Sequence, residues 1–369
     1  MKKLIAMLLA LVMVLSLVAC GSSEPAKTEE PAAEAPAAEA PAAADAVVAG
    51  NPTDYLKGKT VRIVIGSTSV TGDTYLTADL VSRMISEKYG CNMKVDPIGA
   101  GRALEEVVSV KDEETIMMFH DMTYLGVLFG AYDAEDYALE NMVIGGSYGF
   151  NPGDSFSATA SAPYNTIAEL GQWMSENPTE IVRLAVEAGG VSQLGFNAIY
   201  MWILETYGED IAANLKAFVT GSTDEKLQAL WDGNCQGIYA ATSAVEEYTL
   251  DGVDDQLKLK VIGLMGNPIE GKDWPTFAEQ GITIEGTPFS FTKEYIACYG
   301  TKVSPEFIAA MDAAFEEVCN SDEYIQAIEE LGYKAQCLTS ADAKTHIYEK
   351  RAQMEAVIAN APAFDDLVG

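Results

Sequence analysis

From residue 57 onward the chain alternates short β-branched runs with stretches whose apolar residues recur every three or four positions. Thr60-Val61-Arg62-Ile63-Val64-Ile65 reads as a strand, Gly66–Asp73 as a loop of small residues and Thr74–Tyr89 as an amphipathic helix. A strand around Asn92–Val95, the turn Pro97-Ile98-Gly99-Ala100-Gly101, a helix from Arg102 to about Val110 and the apolar strand Thr115–Phe119 follow. The alternation resumes after Pro163. Helix Ile167–Glu176, strand Ile181–Val186, loop Ala188–Ser192, helix Gln193–Tyr207, strand Leu215–Phe218, loop Val219–Thr223, helix Asp224–Trp231 and strand Gln236–Ala240 come in turn. This order predicts an α/β fold with mainly parallel sheets, in two lobes that face each other through similar loops.

The N-terminus has a different pattern. Lys2 and Lys3 precede an apolar run from Leu4 to Val18, interrupted only by Ser16. That is shorter than the roughly 20 residues a membrane-spanning helix needs and has the form of an export signal. It ends in Leu17-Val18-Ala19-Cys20-Gly21, which resembles the lipobox of bacterial lipoproteins. The resemblance implies that Cys20 is lipidated and becomes the mature N-terminus, anchoring the protein to the outside of the cell membrane; the competing reading is an ordinary signal peptide ending in an incidental Cys. Residues 21–56 are rich in Ala, Pro and Glu and repeat Glu-Ala-Pro-Ala-Ala at Glu34 and Glu39. Pro and like charge keep such a segment extended, at about 3.1 Å per residue, and it lacks the apolar bulk for a core. It reads as a tether.

Charge narrows the function. The chain has 23 Lys and Arg against 55 Asp and Glu, a formal net charge of −32. A nucleic-acid partner is thereby excluded, because such binding draws on cationic contacts to phosphates. Beyond Cys20 there are Cys91, Cys235, Cys298, Cys319 and Cys337, without CxxC or Cys/His spacing. No metal site or cofactor motif is read. Export permits disulfides, but free buried thiols and one or two bridges both remain open.

Several motifs resemble, in order, those of the solute-binding component of tripartite tricarboxylate transporters, the Bug-type receptors. Val64–Asp73 echoes the family's strand, small-residue loop and Asp before a helix. Pro97–Gly101 matches a Pro-Gly-Ala-Gly turn with one inserted Ile, and Gly189–Ser192 and Gly221-Ser222 match two second-lobe loops. Trp274-Pro275-Thr276-Phe277-Ala278-Glu279-Gln280-Gly281 resembles the family's Pro-Thr-x-x-Glu-x-Gly, with Val303-Ser304-Pro305, Asp322-Glu323-Tyr324 and Leu331-Gly332-Tyr333 behind it. Thr77 stands where the family commonly has Arg, and Gln193 where it has His. The resemblance implies a two-lobed fold like that of periplasmic binding proteins, with a ligand cleft between lobes. Lobe one is expected over 57–157 and 288–369 and lobe two over 158–287, joined by two crossovers.

It also implies a monomeric receptor, without catalysis, that hands a small carboxylate or amino-acid ligand to integral membrane transporter subunits. The expected ligand-binding residues are Ser67, Thr68, Ser69, Val70, Thr71, Gly72 and Asp73 from lobe one, with Ser192, Ser222 and Thr223 from lobe two. Physically, small residues feeding a helix N-terminus leave backbone amides close to an anion, where the helix dipole adds about half a positive charge. Asp73 is expected to cap its helix rather than touch ligand. Arg102 is either a further anion contact or a surface cation offsetting Glu105 and Glu106. The alternative is a secreted lipoprotein enzyme of hydrolase type acting on a small anionic substrate. His120 and His346 are the only imidazoles, and neither a Gly-x-Ser-x-Gly elbow nor a His-Glu-x-x-His motif is present. An adhesin would not require paired ligand loops.

Overall fold

The structure, a computed structural model, describes residues 51–369. The export signal, Cys20 and most of the tether lie outside the described residues. Folded structure is already present before residue 57. Asn51 caps the short helix α1 (Pro52–Leu56) by accepting from the Thr53 amide, Pro52 fits the first turn, and Leu56 is fully buried.

Strand β1 (Thr60–Ile65) leads into α2 (Asp73–Tyr89), which ends at Gly90 in the left-handed region, φ 67°. Then come β2 (Asn92–Pro97), α3 (Ala100–Ser109), β3 (Thr115–Phe119), α4 (Met122–Leu128), β4 (Met142–Asn151) and β5 (Asp154–Thr159). Farther along come α5 (Ile167–Glu176), β6 (Val182–Val186), α6 (Val191–Tyr207), β7 (Leu215–Val219), α7 (Thr223–Trp231), β8 (Gly237–Ala241) and β9 (Leu259–Leu264). Strand β10 (Lys293–Gly300) and helices α8 (Pro305–Cys319), α9 (Asp322–Glu330) and α10 (Ser340–Ala359) follow.

Two five-stranded sheets result, in the orders β2-β1-β3-β10-β4 and β7-β6-β8-β5-β9. Each has three parallel strands extended by two that run antiparallel to their neighbours. The sheets are therefore mixed, not mainly parallel. The unread strands are the antiparallel ones, β4, β5, β9 and β10. In β4 the residues Gly145, Gly146 and Gly149 break the β-branched pattern. Gly149 is needed for close approach, since a Cβ there would stand 2.9 Å from the Lys334 carbonyl.

Strand β5 belongs to the second sheet, so the chain crosses at Pro152-Gly153, ahead of the expected boundary at 157. There the outgoing and returning backbones touch: the Asn267 amide donates to the Pro152 carbonyl, and a Cβ on Gly266 would meet that oxygen at 2.0 Å. The chain returns through Ser290–Thr292 into β10. The last residues cross again, contrary to the assignment of everything after 288 to lobe one. Val368 bridges to Ala217 of β7, and the Gly369 amide donates to the Ala217 carbonyl. The sheets are thus linked three times rather than twice.

Candidate functional site

A cavity of about 870 Å³ lies between the two sheets, at the carboxyl ends of the parallel strands. Open α/β sheets gather ligands there because helix N-termini and loops converge on that edge. From lobe one it is lined by Ser67, Thr68, Ser69, Thr71, Gly72 and Asp73, and from lobe two by Ser222 and Thr223. Val70 points to solvent and Ser192 is buried away from the cavity. Arg102 is exposed, pairs with Glu106 at 3.4 Å and takes no part in the lining.

Within lobe one, hydroxyls satisfy part of the loop. The Ser67 Oγ accepts from the Ser69 amide at 3.0 Å, and the Ser69 Oγ accepts from the Thr71 amide at 3.1 Å. Gly72 then takes the N-cap position of α2 with extended backbone and no side-chain cap, leaving the helix start open toward the cavity. Asp73 is the first helical residue and not the cap. Its Oδ1 accepts from the Thr74 amide at 2.8 Å, while Oδ2 accepts from Lys293 Nζ at 2.7 Å and the Tyr295 hydroxyl at 3.0 Å.

Lys293, at the start of β10, is also 3.3 Å from Asp154 of β5, so one buried ammonium joins carboxylates of both sheets. Burial opposes every one of these charges, but the attraction prevails: Asp73 is held well below the usual carboxylate range and Lys293 above its usual value. Beside them His120 is buried, and desolvation, reinforced by Lys293, pushes its imidazole down to about 3 despite Asp73. At neutral pH it is uncharged. On the other face of β10, Glu294 and Asp121 share the ammonium of Lys350 from α10.

The lobe-two loops are occupied by their own side chains. Ser192, inside α6 rather than in the preceding loop, accepts from the Glu187 amide at 2.8 Å, and the Gln193 Oε1 accepts from the Gly189 amide at 2.7 Å. In the next loop Ser222 and Glu225 form a capping box. The serine Oγ accepts from the Glu225 amide at 3.2 Å and the carboxylate reaches back to the Gly221 amide. An internal carboxylate therefore already sits at the α7 N-terminus. Around it the wall carries Glu187, Asp224 and Glu246, against a single buried cation, Lys226, 3.3 Å from Glu187.

Sequence reading missed Lys226, Tyr239, Ser243 and Tyr333 in this lining. Tyr239 is fully buried with a hydroxyl that has no partner among the described residues. Ser243 and Tyr333 join the two sides of the cleft through hydroxyls 2.9 Å apart. Lys226 had a legible signal, one turn inside the helix that the small-residue loop opens; for the others only the tertiary fold supplies one. The Trp274–Gly281 motif is a lobe-two clasp outside the cavity lining. Glu279 accepts from the Thr276 amide, and Gln280 accepts from the Ile167 amide and donates to the Ile262 carbonyl.

No protein-family model matches the sequence, and no curated protein matches it. Among solved structures, the periplasmic binding protein BugD is similar over 82% of this chain and 97% of its own, with TM-score 0.66 and 15% identity. An R. palustris protein, Rpa4515 with adipate, gives TM-score 0.68 at 17% identity over 82% and 98%. MatC from Rhodopseudomonas palustris with bound malate gives 0.65 at 16% identity over 81% and 99%. The fold is that of the Bug-type periplasmic binding protein. In this Bug-type fold the cavity occupies the cleft between the lobes, and the two α/β halves repeat one strand order around it.

Proposed function

We propose that the chain is an extracytoplasmic receptor that captures a small carboxylate-bearing solute and delivers it to integral membrane subunits of a tripartite tricarboxylate-type transporter. The observation that carries this reading is a cleft of about 870 Å³ closed on by loops of both lobes. Two proteins of similar fold, Rpa4515 with adipate and MatC with bound malate, support it. The ligand's carboxylate docks on the amides of Gly72 and Asp73 at the open start of α2, with the hydroxyls of Thr68, Ser69 and Thr71 completing the cup. Ser67 shapes that cup through its bond to the Ser69 amide.

Lobe two offers the opposite environment. Its Gly189 and Gly221 amides are taken by Gln193 and Glu225, and Glu187, Asp224 and Glu246 make its wall acidic. Exposed charges beyond about 8 Å are screened at physiological salt, but these face the cavity itself. The favoured ligand therefore carries an ammonium group as well as a carboxylate. Calorimetry with neutral amino acids and with malate-like and adipate-like dicarboxylates tests this. The amino acids should bind with micromolar Kd and the dicarboxylates at least about tenfold more weakly, a gap of about 1.4 kcal/mol. The reverse order would overturn the zwitterion and keep the receptor; multiple-turnover conversion of the bound ligand would overturn the receptor in favour of the hydrolase.

Anchoring by Cys20 belongs to the same proposal, with the protein acting as a tethered monomer outside the cell membrane. Mass spectrometry of the membrane fraction should find a lipidated Cys20 at the mature N-terminus. An unmodified chain extending upstream of Cys20 would sink the anchor.

A further inference from the structure

Two of the cysteines meet far from the cleft. Cys319 ends α8, is fully buried, and its Sγ lies 3.9 Å from the Tyr148 carbonyl of β4. Cys337 lies in the segment after α9 that runs back along the same strand. The Phe150 and Lys334 amides donate to each other's carbonyls at 2.9 and 3.0 Å. Farther along, the Ser147 Oγ donates to the Gln336 carbonyl at 2.8 Å and accepts from the Leu338 amide at 3.0 Å. The residues on either side of Cys337 are thus pinned to Ser147, and Cys319 rests on Tyr148, the next residue. Both side chains belong to the same apolar cluster beneath the first sheet. Each thiol is a side-chain neighbour in the other's electrostatic surroundings.

We propose that Cys319 and Cys337 close a disulfide in the exported protein, tying the end of α8 to the segment after α9 where both rest on the edge strand β4, and that Cys91, Cys235 and Cys298 stay reduced. The inference rests on the exported location argued above. Cys337 is half-buried and Cys319 wholly so, which orders the chemistry. The neighbouring Cys319 draws the Cys337 thiol below its ordinary value, whereas burial drives Cys319 far up. Cys337 as thiolate attacks a disulfide-bearing donor, its sulfur bonding to one donor sulfur while the other leaves as a thiol. Cys319 then attacks the Cys337 sulfur and expels the second donor thiol. Two cysteine thiols are oxidised, one donor disulfide is reduced, and both protons end on donor sulfurs.

The test uses the full chain recovered from outside the cell membrane, with free thiols alkylated under denaturing conditions before digestion. Unreduced peptides should show Cys319 joined to Cys337 and the other three body cysteines alkylated. A second arm exposes fully reduced protein to oxidised glutathione. The Cys319–Cys337 pair should close first, and its closure should raise the melting temperature by about 3–8 °C, a rise that Cys337→Ser abolishes. Five alkylated cysteines in the native sample together with closure in glutathione would overturn the exported setting and keep the pairing. Failure to close in glutathione, or a different partner for either residue, would overturn the pairing itself. Neither result touches ligand binding, which calorimetry reads separately.

Discussion

Lys293→Met is expected to lower the stability of the folded body by about 3–5 kcal/mol, the range found when one partner of a buried ion pair is removed. Lys293 is 7% exposed and is the ammonium that pairs with both Asp73 and Asp154. Methionine fills a similar volume, so the cost comes from two stranded carboxylates and not from a cavity. The pH dependence separates this from a packing defect. In the wild type, Asp73 titrates below its unfolded value, so its contribution is present above about pH 4 and is lost as pH falls. In the variant no ammonium offsets the desolvation of Asp73, so protonating that carboxylate relieves the folded state. The gap between the two proteins should therefore narrow from pH 7 to pH 4.5. His120 titrates near 3 when folded and near 6.5 when unfolded, so stability falls in the wild type as pH drops through that window. Urea denaturation at several pH values measures all of this. As a control, Arg83→Met breaks an exposed pair and should cost less than about 1 kcal/mol. A Lys293→Met loss no larger than the control's would remove the network from the account of how the two sheets are held.

That network was invisible in the sequence for a physical reason. Lys293 and Glu294 are adjacent and look like an exposed polar pair, yet successive residues on a strand face opposite sides of a sheet. Because β10 is buried on both faces, each residue needs its own counter-charge, supplied by Asp73 and Asp154 on one side and by Lys350 on the other. Such partners are separated by scores of residues and are read only once the crossovers are known. The parallel βα units were legible because each strand is a β-branched run followed by a small-residue loop and an amphipathic helix, as in Thr60–Tyr89. Strand β4 was not, since its glycines serve close packing, Gly145 against β10 and Gly146 and Gly149 against the Lys334–Leu338 segment. The same limit applied at the site. The small-residue loops were located, but which amides remain open depends on the hydroxyls of Ser67 and Ser69 and on Glu225 folding back. A pattern of small residues does not carry that information.

Gly72→Val should weaken ligand binding by about 100-fold or more while leaving the fold intact. Gly72 has φ −79° and ψ 160°, a conformation open to any residue. An added Cβ would stand 3.9 Å from the Ser67 and Ser69 hydroxyls, an ordinary contact. The branched side chain therefore costs the protein little, and the melting temperature should move by no more than about 3 °C. It does, however, occupy the cup through which a carboxylate would approach the amides at the start of α2. Charge-assisted hydrogen bonds to amides are worth about 1.5–3 kcal/mol each, so losing even two accounts for the hundredfold change. Arg102→Ala supplies the contrast. That guanidinium is 69% exposed and already engaged with Glu106, and its removal should alter Kd by less than about twofold. Calorimetry on the two variants with the tightest-binding amino acid decides between an amide cradle and a cationic anchor. If Arg102→Ala abolishes binding and Gly72→Val preserves it, the carboxylate is not held by the α2 N-terminus. If both variants bind like the wild type, the ligand docks elsewhere in the cleft, and the acidic wall around Asp224 becomes the place to look for its contacts.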